Sequence, residues 1–127
     1  MPLLLPLLFL LAAAPSAGAK RAPPTPPPSD YGGAAPLNQG KWFDFTDYPG
    51  EAIAAGEEGY VTVAFDILAS GRVGRCEVAR SSGSKRLDAV PCRLLRRRAR
   101  FAPARGPDGA ARATRGTTSM SFWLPGR

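Results

Sequence analysis

The sequence predicts one small α+β domain whose elements run helix, strand, strand, helix, strand. Three observations carry that expectation. Tyr60 to Leu68 alternates with a period of two and places Val61, Val63, Phe65 and Ile67 on one face, the pattern of a half-buried strand. Thr118, Met120, Phe122 and Leu124 repeat the alternation near the C-terminus, with Ser119, Ser121 and Trp123 pointing the other way. Between these runs, Cys92, Leu95 and Ala99 fall at i, i+3 and i+7, which collects them on one face of a helix.

Taken in order, Tyr48-Pro49 opens the domain, and Glu51 to Ala55 is a short helical run. Gly56 can end it, because glycine accepts the left-handed cap conformation at little cost. The first long strand follows, and Ala69-Ser70-Gly71 makes a tight turn into a second strand over about Arg72 to Arg80. On that strand Val73 lies on one phase, and Cys76 and Val78 lie on the other. A bulge near Gly74 would reconcile them. Ser81 to Ser84 breaks the strand. Pro91 is tolerated only in the first turn of a helix, so the regular helix is expected from Asp88, as cap, to about Arg98. Gly106-Pro107-Asp108-Gly109 forms a loop, and the last strand spans about Arg112 to Leu124.

The segments before the domain read differently. Residues 1–19 carry no charged side chain, and their apolar run, ending in Ala17-Gly18-Ala19, reads as a secretory signal cleaved before Lys20. An uncleaved membrane anchor is the alternative, although Pro6 and Pro15 interrupt the run. Residues 20–47 read as a Pro/Gly-rich linker, extended over Ala22 to Pro28 and flexible over Ser29 to Gly33. Trp42, Phe43 and Phe45 are unusual in a solvated linker. They are expected to pack on the domain edge, with a partner-facing patch as the sharper alternative.

The chain has 17 Lys and Arg against 10 Asp and Glu and no histidine, for a net charge of +7. Nucleic acid would be the first partner for such a charge, but an exported protein rarely meets it. Without histidine, Ser-His and Cys-His pairs and the usual metal clusters are absent, so no enzyme, cofactor, metal or small-molecule substrate is expected. Ser81 and Ser82 read as turn residues, and Glu57 and Glu58 as solvated loop carboxylates. Arg96, Arg97 and Arg98 are a candidate electrostatic patch for an acidic partner, against the blander reading of a solvated helix end.

Cys76 and Cys92 should both face the interface between sheet and helix. One turn separates their elements, so the chain can bring their Cα atoms within disulfide range, and an oxidising compartment would close the bridge. Two buried free thiols are the alternative.

The residues Tyr48-Pro49, Gly59 to Ile67, Gly71-Arg72-Val73, Ser81-Ser82-Gly83 with Leu87-Asp88, Arg98 to Ala104, and Phe122-Trp123-Leu124 resemble, in order and spacing, the C-terminal domain of TonB. That resemblance implies a three-stranded antiparallel sheet with two helices on one face. It further implies that the last strand, at the sheet edge, recruits the TonB box of an outer-membrane receptor as an added strand, through Thr114, Arg115, Thr117, Ser119, Ser121 and Trp123. Location in the periplasm follows, or at the inner membrane facing the periplasm if the apolar run is an anchor. Coupling to ExbB and ExbD is not supported. No histidine matches the intramembrane histidine of the family, and a linker over 20–47 reaches only on the order of 90–100 Å at roughly 3.3–3.6 Å per residue. The alternative function is a stand-alone structural or regulatory envelope protein that keeps the fold without transducing energy.

Overall fold

The computed structural model describes Leu3 and residues 23–126; the signal reading for residues 1–19 lies outside the described residues but for Leu3. Among the described residues no helix is long and apolar enough to cross a membrane. The main sheet has three antiparallel strands in the order β3-β2-β7: β2 is Gly59–Ile67, β3 is Val73–Arg80 and β7 is Thr114–Phe122. The alternation in β2 has the expected result, since Val61, Val63, Phe65 and Ile67 are all fully buried. Thr118, Met120, Phe122 and Leu124 bury beside them. Gly116 of β7 sits over this layer, where a Cβ would come within 3.1 Å of the Phe65 ring and Ile67 Cδ1.

The β2–β3 turn closes with the Leu68 amide donating to Arg72 O at 2.8 Å. Gly71 has φ +83°, and a Cβ there would lie 2.2 Å from Phe101 O, so the turn needs glycine for conformation and space alike. The expected bulge is present, because Phe65 pairs with Cys76 while Ile67 pairs with Val73. A second register shift separates Thr62 from Val63. Val78 departs from the interior reading of its phase: it is 43% exposed, near the end of β3.

The helices fill one side of this sheet. α1 (Gly50–Ala54) contributes Ala52, and Gly56 follows it at φ +67°. The second helical region begins earlier than expected, with α2 at Lys85–Asp88 and α3 at Val90–Arg98. Ser84, not Asp88, is the N-cap, its Oγ accepting from the Leu87 amide at 3.3 Å. Pro91 is accommodated in the first turn of α3, and the helical path breaks before it at Ala89. Asp88 instead turns back to the strand exit and accepts from Ser81 Oγ, the Ser82 amide at 2.9 Å and Ser82 Oγ at 2.8 Å. Burial pushes its pKa up, and these hydrogen bonds outweigh burial and hold it low. Leu87, Val90, Leu94, Leu95 and Ala99 complete the core.

The largest correction concerns the linker, because residues from 30 onward are held on the domain. β1 (Ala35–Pro36) pairs antiparallel with β4 (Phe101–Ala102), and β5 (Ala104–Arg105) pairs with β6 (Ala111–Arg112) around the expected loop. Trp42 is only 1% exposed and packs against Phe101 at 5.2 Å between ring centroids. Asn38 organises the junction. Its Oδ1 accepts from Trp42 Nε1 at 2.8 Å and the Arg100 amide at 2.9 Å, and its Nδ2 donates to Arg98 O at 2.7 Å.

The Cys76–Cys92 disulfide joins β3 to α3 with a Cα–Cα distance of 5.6 Å, inside the range such a bridge requires. Its sequence separation is 16, and closing a loop of that size in the unfolded chain contributes about 3 kcal/mol. Reduction, or Cys76→Ser with Cys92→Ser, should therefore lower the melting temperature by roughly 12–24 °C, at about 4–8 °C per kcal/mol for a domain of this size. Calorimetry with and without reductant checks this, and an unchanged melting temperature would contradict it.

Arg98 fastens the N-terminal segment from the other side. Its guanidinium donates to Asp47 Oδ2 and Oδ1 at 2.7 and 2.9 Å and to Trp42 O at 3.1 Å. The Arg98 hydrogen bonds hold the Asp47 carboxyl below the usual carboxylate range; burial opposes this, and the Asp44 amide adds to it. A lowered carboxylate pKa contributes stability above the ordinary value of about 3.9 and loses it as pH falls through the folded value. Arg98→Ala should thus cost about 1–2 kcal/mol at pH 7, and the gap between the two proteins should narrow only as pH falls below about 3.9 and through the lowered Asp47 value. Urea denaturation at pH 7 and pH 3 tests this, and an equal gap at both would contradict it.

Candidate partner-binding edge

The order β3-β2-β7 leaves the outer side of β7 as a sheet edge. Which of its backbone groups face outward follows from Thr117. Its amide donates to Asp30 O at 2.7 Å and its carbonyl accepts from the Asp30 amide at 3.0 Å, both on the side away from β2. Amide and carbonyl of one strand residue share a side, and the side alternates along the strand. Arg115, Ser119 and Ser121 therefore also present their main-chain groups outward, whereas Thr118 and Met120 direct theirs to Val63 and Val61 of β2.

The side chains of the expected site divide by the same rule. Ser119 and Ser121 lie on the sheet face opposite the core, where Ser119 Oγ and Thr62 Oγ1 share a hydrogen bond of 2.8 Å. Arg115 spans that face and donates to Asp66 at 2.8 Å and Glu77 at 2.7 Å, so its side chain is committed to the sheet and its backbone to the edge. These two carboxylates raise its pKa. Thr114 Oγ1 donates to Tyr31 O at 3.3 Å, closing one end of the edge. Trp123, half-buried, lies just beyond β7 at the other end.

Beside Ser119–Trp123 runs an open groove of about 290 Å³. Phe43, Phe45 and Tyr48 line it from one side, and Met120 and Trp123 from the other. A capping box sets its far wall: Asp44 accepts from the Thr46 amide at 2.7 Å, and Asp47 accepts from the Asp44 amide at 2.9 Å. The aromatic cluster seen in the sequence thus divides. Trp42 enters the core, while Phe45 stays 62% exposed in the groove. The sequence signal for these residues was their aromatic density inside a Pro/Gly-rich stretch, but nothing in it separated the buried ring from the exposed one.

The three arginines of the candidate patch are engaged differently. Arg98 is bound internally to Asp47, and Arg96 reaches back to β3, donating to Gly74 O at 3.3 Å and Cys76 O at 3.2 Å. Arg96 and Arg97 are both exposed, and Arg98 is half-buried. The loop carboxylates are structural as well: Glu57 accepts from Ser84 Oγ and Arg86, and Glu58 accepts from the Leu124 amide at 2.7 Å. Among the described residues no group of His, Cys, Asp or Glu is placed to hold a metal ion.

The family model for the Gram-negative bacterial TonB protein C-terminal matches residues 46–124. Among solved structures, the solution NMR structure of the Pseudomonas aeruginosa TonB CTD is 30% identical, with 75% of this chain and 90% of that one covered and a TM-score of 0.58. No curated protein matches. The matched family is a transducer domain without enzymatic activity. The match extends over more than half the sequence, and the chain therefore belongs to the TonB C-terminal domain family.

Proposed function

We propose that this domain works on the periplasmic side of the cell envelope and captures an extended peptide by adding it as a fourth strand to the edge of β7. The peptide is the TonB box of an outer-membrane receptor, in transport of siderophores or similar ligands. The observation that carries the reading is the outward row of main-chain groups at Arg115, Thr117, Ser119 and Ser121 beside an apolar groove. Backbone groups would supply affinity, and every second peptide side chain would enter the groove for specificity.

One observation favours the second reading, a stand-alone structural or regulatory envelope protein. With residues 30–47 packed on the domain, 20–29 alone separate it from the apolar N-terminal run. That is a reach of at most about 33–36 Å at roughly 3.3–3.6 Å per residue, which argues against force transmission through ExbB and ExbD.

The two readings part on peptide binding. Ser119→Pro and Ser121→Pro each delete an outward amide and no ladder bond to β2. They should weaken binding of synthetic receptor TonB-box peptides roughly 3- to 10-fold, one hydrogen bond's worth, while the fold survives. Ser121 is the cleaner site, since Ser119 also bonds Thr62. Met120→Pro removes an inward amide and should unfold the domain. Calorimetric titration decides: unchanged affinity in both folded serine variants would remove β7 as the docking edge, and no binding by the unaltered protein at high micromolar peptide would favour the second reading.

A further inference from the structure

The edge assigned to a partner is already touched by the chain's own N-terminal segment. Asp30 forms an isolated antiparallel bridge with Thr117 through both backbone hydrogen bonds, and Ser29 Oγ shares a hydrogen bond of 2.8 Å with Thr118 Oγ1. A turn pins this register. Asp30 Oδ1 accepts from the Gly32 amide at 2.9 Å, and Gly32, at φ +62°, lies so close to β7 that a Cβ would sit 2.6 Å from Arg115 O. At the far end, Pro23 and Pro24 line a small cavity with Tyr60, Ser121 and Trp123.

The two lengths agree. Seven polyproline steps from Pro23 to Asp30 cover about 22 Å at ~3.1 Å each, and six strand steps from Thr117 to Trp123 cover about 20 Å at ~3.3 Å each. The segment therefore lies alongside the edge as a strap. It is a poor strand, however. Pro23, Pro24, Pro26, Pro27 and Pro28 have no amide, so the strap cannot pair continuously with β7 as a true fourth strand would. Most of its residues are exposed, with Pro26 half-buried. A proline-rich cover of this kind protects an edge from unwanted pairing while holding it weakly.

We propose that the Pro23–Asp30 strap is a built-in competitor for the edge of β7, which a partner's strand must displace at Thr117 before it can pair along the full edge. This rests on the reading of β7 as the docking edge. The groups contested are the Thr117 amide and carbonyl, which cannot bond Asp30 and an added strand at once. Apparent affinity is then the intrinsic affinity reduced by the fraction of molecules with the strap off.

The test uses the full chain. Asp30→Pro removes the Asp30 amide, whereas Asp30→Asn keeps both the backbone pair and the turn acceptor. Pro27→Gly with Pro28→Gly loosens the strap without touching the turn and serves if the Asp30→Pro protein is misfolded. In the free unaltered protein, NMR hydrogen exchange should find the Thr117 amide protected, and the two loosening changes should release it. The same changes should tighten binding of the receptor peptides roughly tenfold, with Asp30→Asn unchanged. Peptide added to the unaltered protein should deprotect the Asp30 amide while Thr117 stays protected. A Thr117 amide that exchanges freely in the unaltered protein, or peptide binding that leaves Asp30 protected and affinity indifferent to the strap, would overturn the competition. If no variant binds peptide while Thr117 protection still answers to the strap, the docking-edge reading fails and the competition with it, but the strap's seat on the edge stands.

Discussion

A sheet of three strands leaves two edges, and backbone amides and carbonyls do not tolerate being left without partners in a folded protein. Here β2 occupies the middle and spends both of its sides on β3 and β7. Its four buried side chains, Val61, Val63, Phe65 and Ile67, fix which face meets the helices. A shift of one residue in pairing would turn all four to solvent. With register fixed, the outward groups of β7 are fixed as well. Water, the chain's own N-terminal segment or another molecule must satisfy them, and at Thr117 the N-terminal segment does so through Asp30.

The second constraint is the junction where the N-terminal segment meets the end of α3. Asn38 bridges Trp42 to the backbone at Arg98 and Arg100, and Arg98 grips Asp47. These contacts place Phe43, Phe45 and Tyr48 beside Met120 and Trp123, so the groove exists only because an irregular segment is tied down. They also change what the arginines mean. A run of three on a helix suggests an exposed positive surface, yet Arg98 holds the N-terminal segment and Arg96 holds β3 against α3. The disulfide reinforces this latter contact from the same two elements.

What the sequence made legible was whatever repeats. The period-two runs of β2 and β7, the Cys92-Leu95-Ala99 face, the Gly71 turn and the facing cysteines all appear where their patterns put them. Features that depend on a distant partner were not legible. Asn38 contacts residues some sixty positions away, so no local pattern announces it, and two-residue strands such as β1 and β4 are too short to have a period. Pro91 suggested a helix capped by Asp88. The chain instead breaks at Ala89, makes two short helices, and leaves Asp88 free to bind Ser81 and Ser82. The edge residues could be named from the resemblance, but which amides face outward required the Asp30–Thr117 pair to be seen.

The decisive measurement is the NMR structure of the isotope-labelled chain bound to a receptor TonB-box peptide. Strand addition at β7 requires cross-strand nuclear Overhauser contacts between the peptide backbone and Ser119 and Ser121, with a peptide side chain against Phe45 and Trp123. Contacts that map instead to the exposed face of α3 around Arg97, with the β7 amides unmoved, would contradict it.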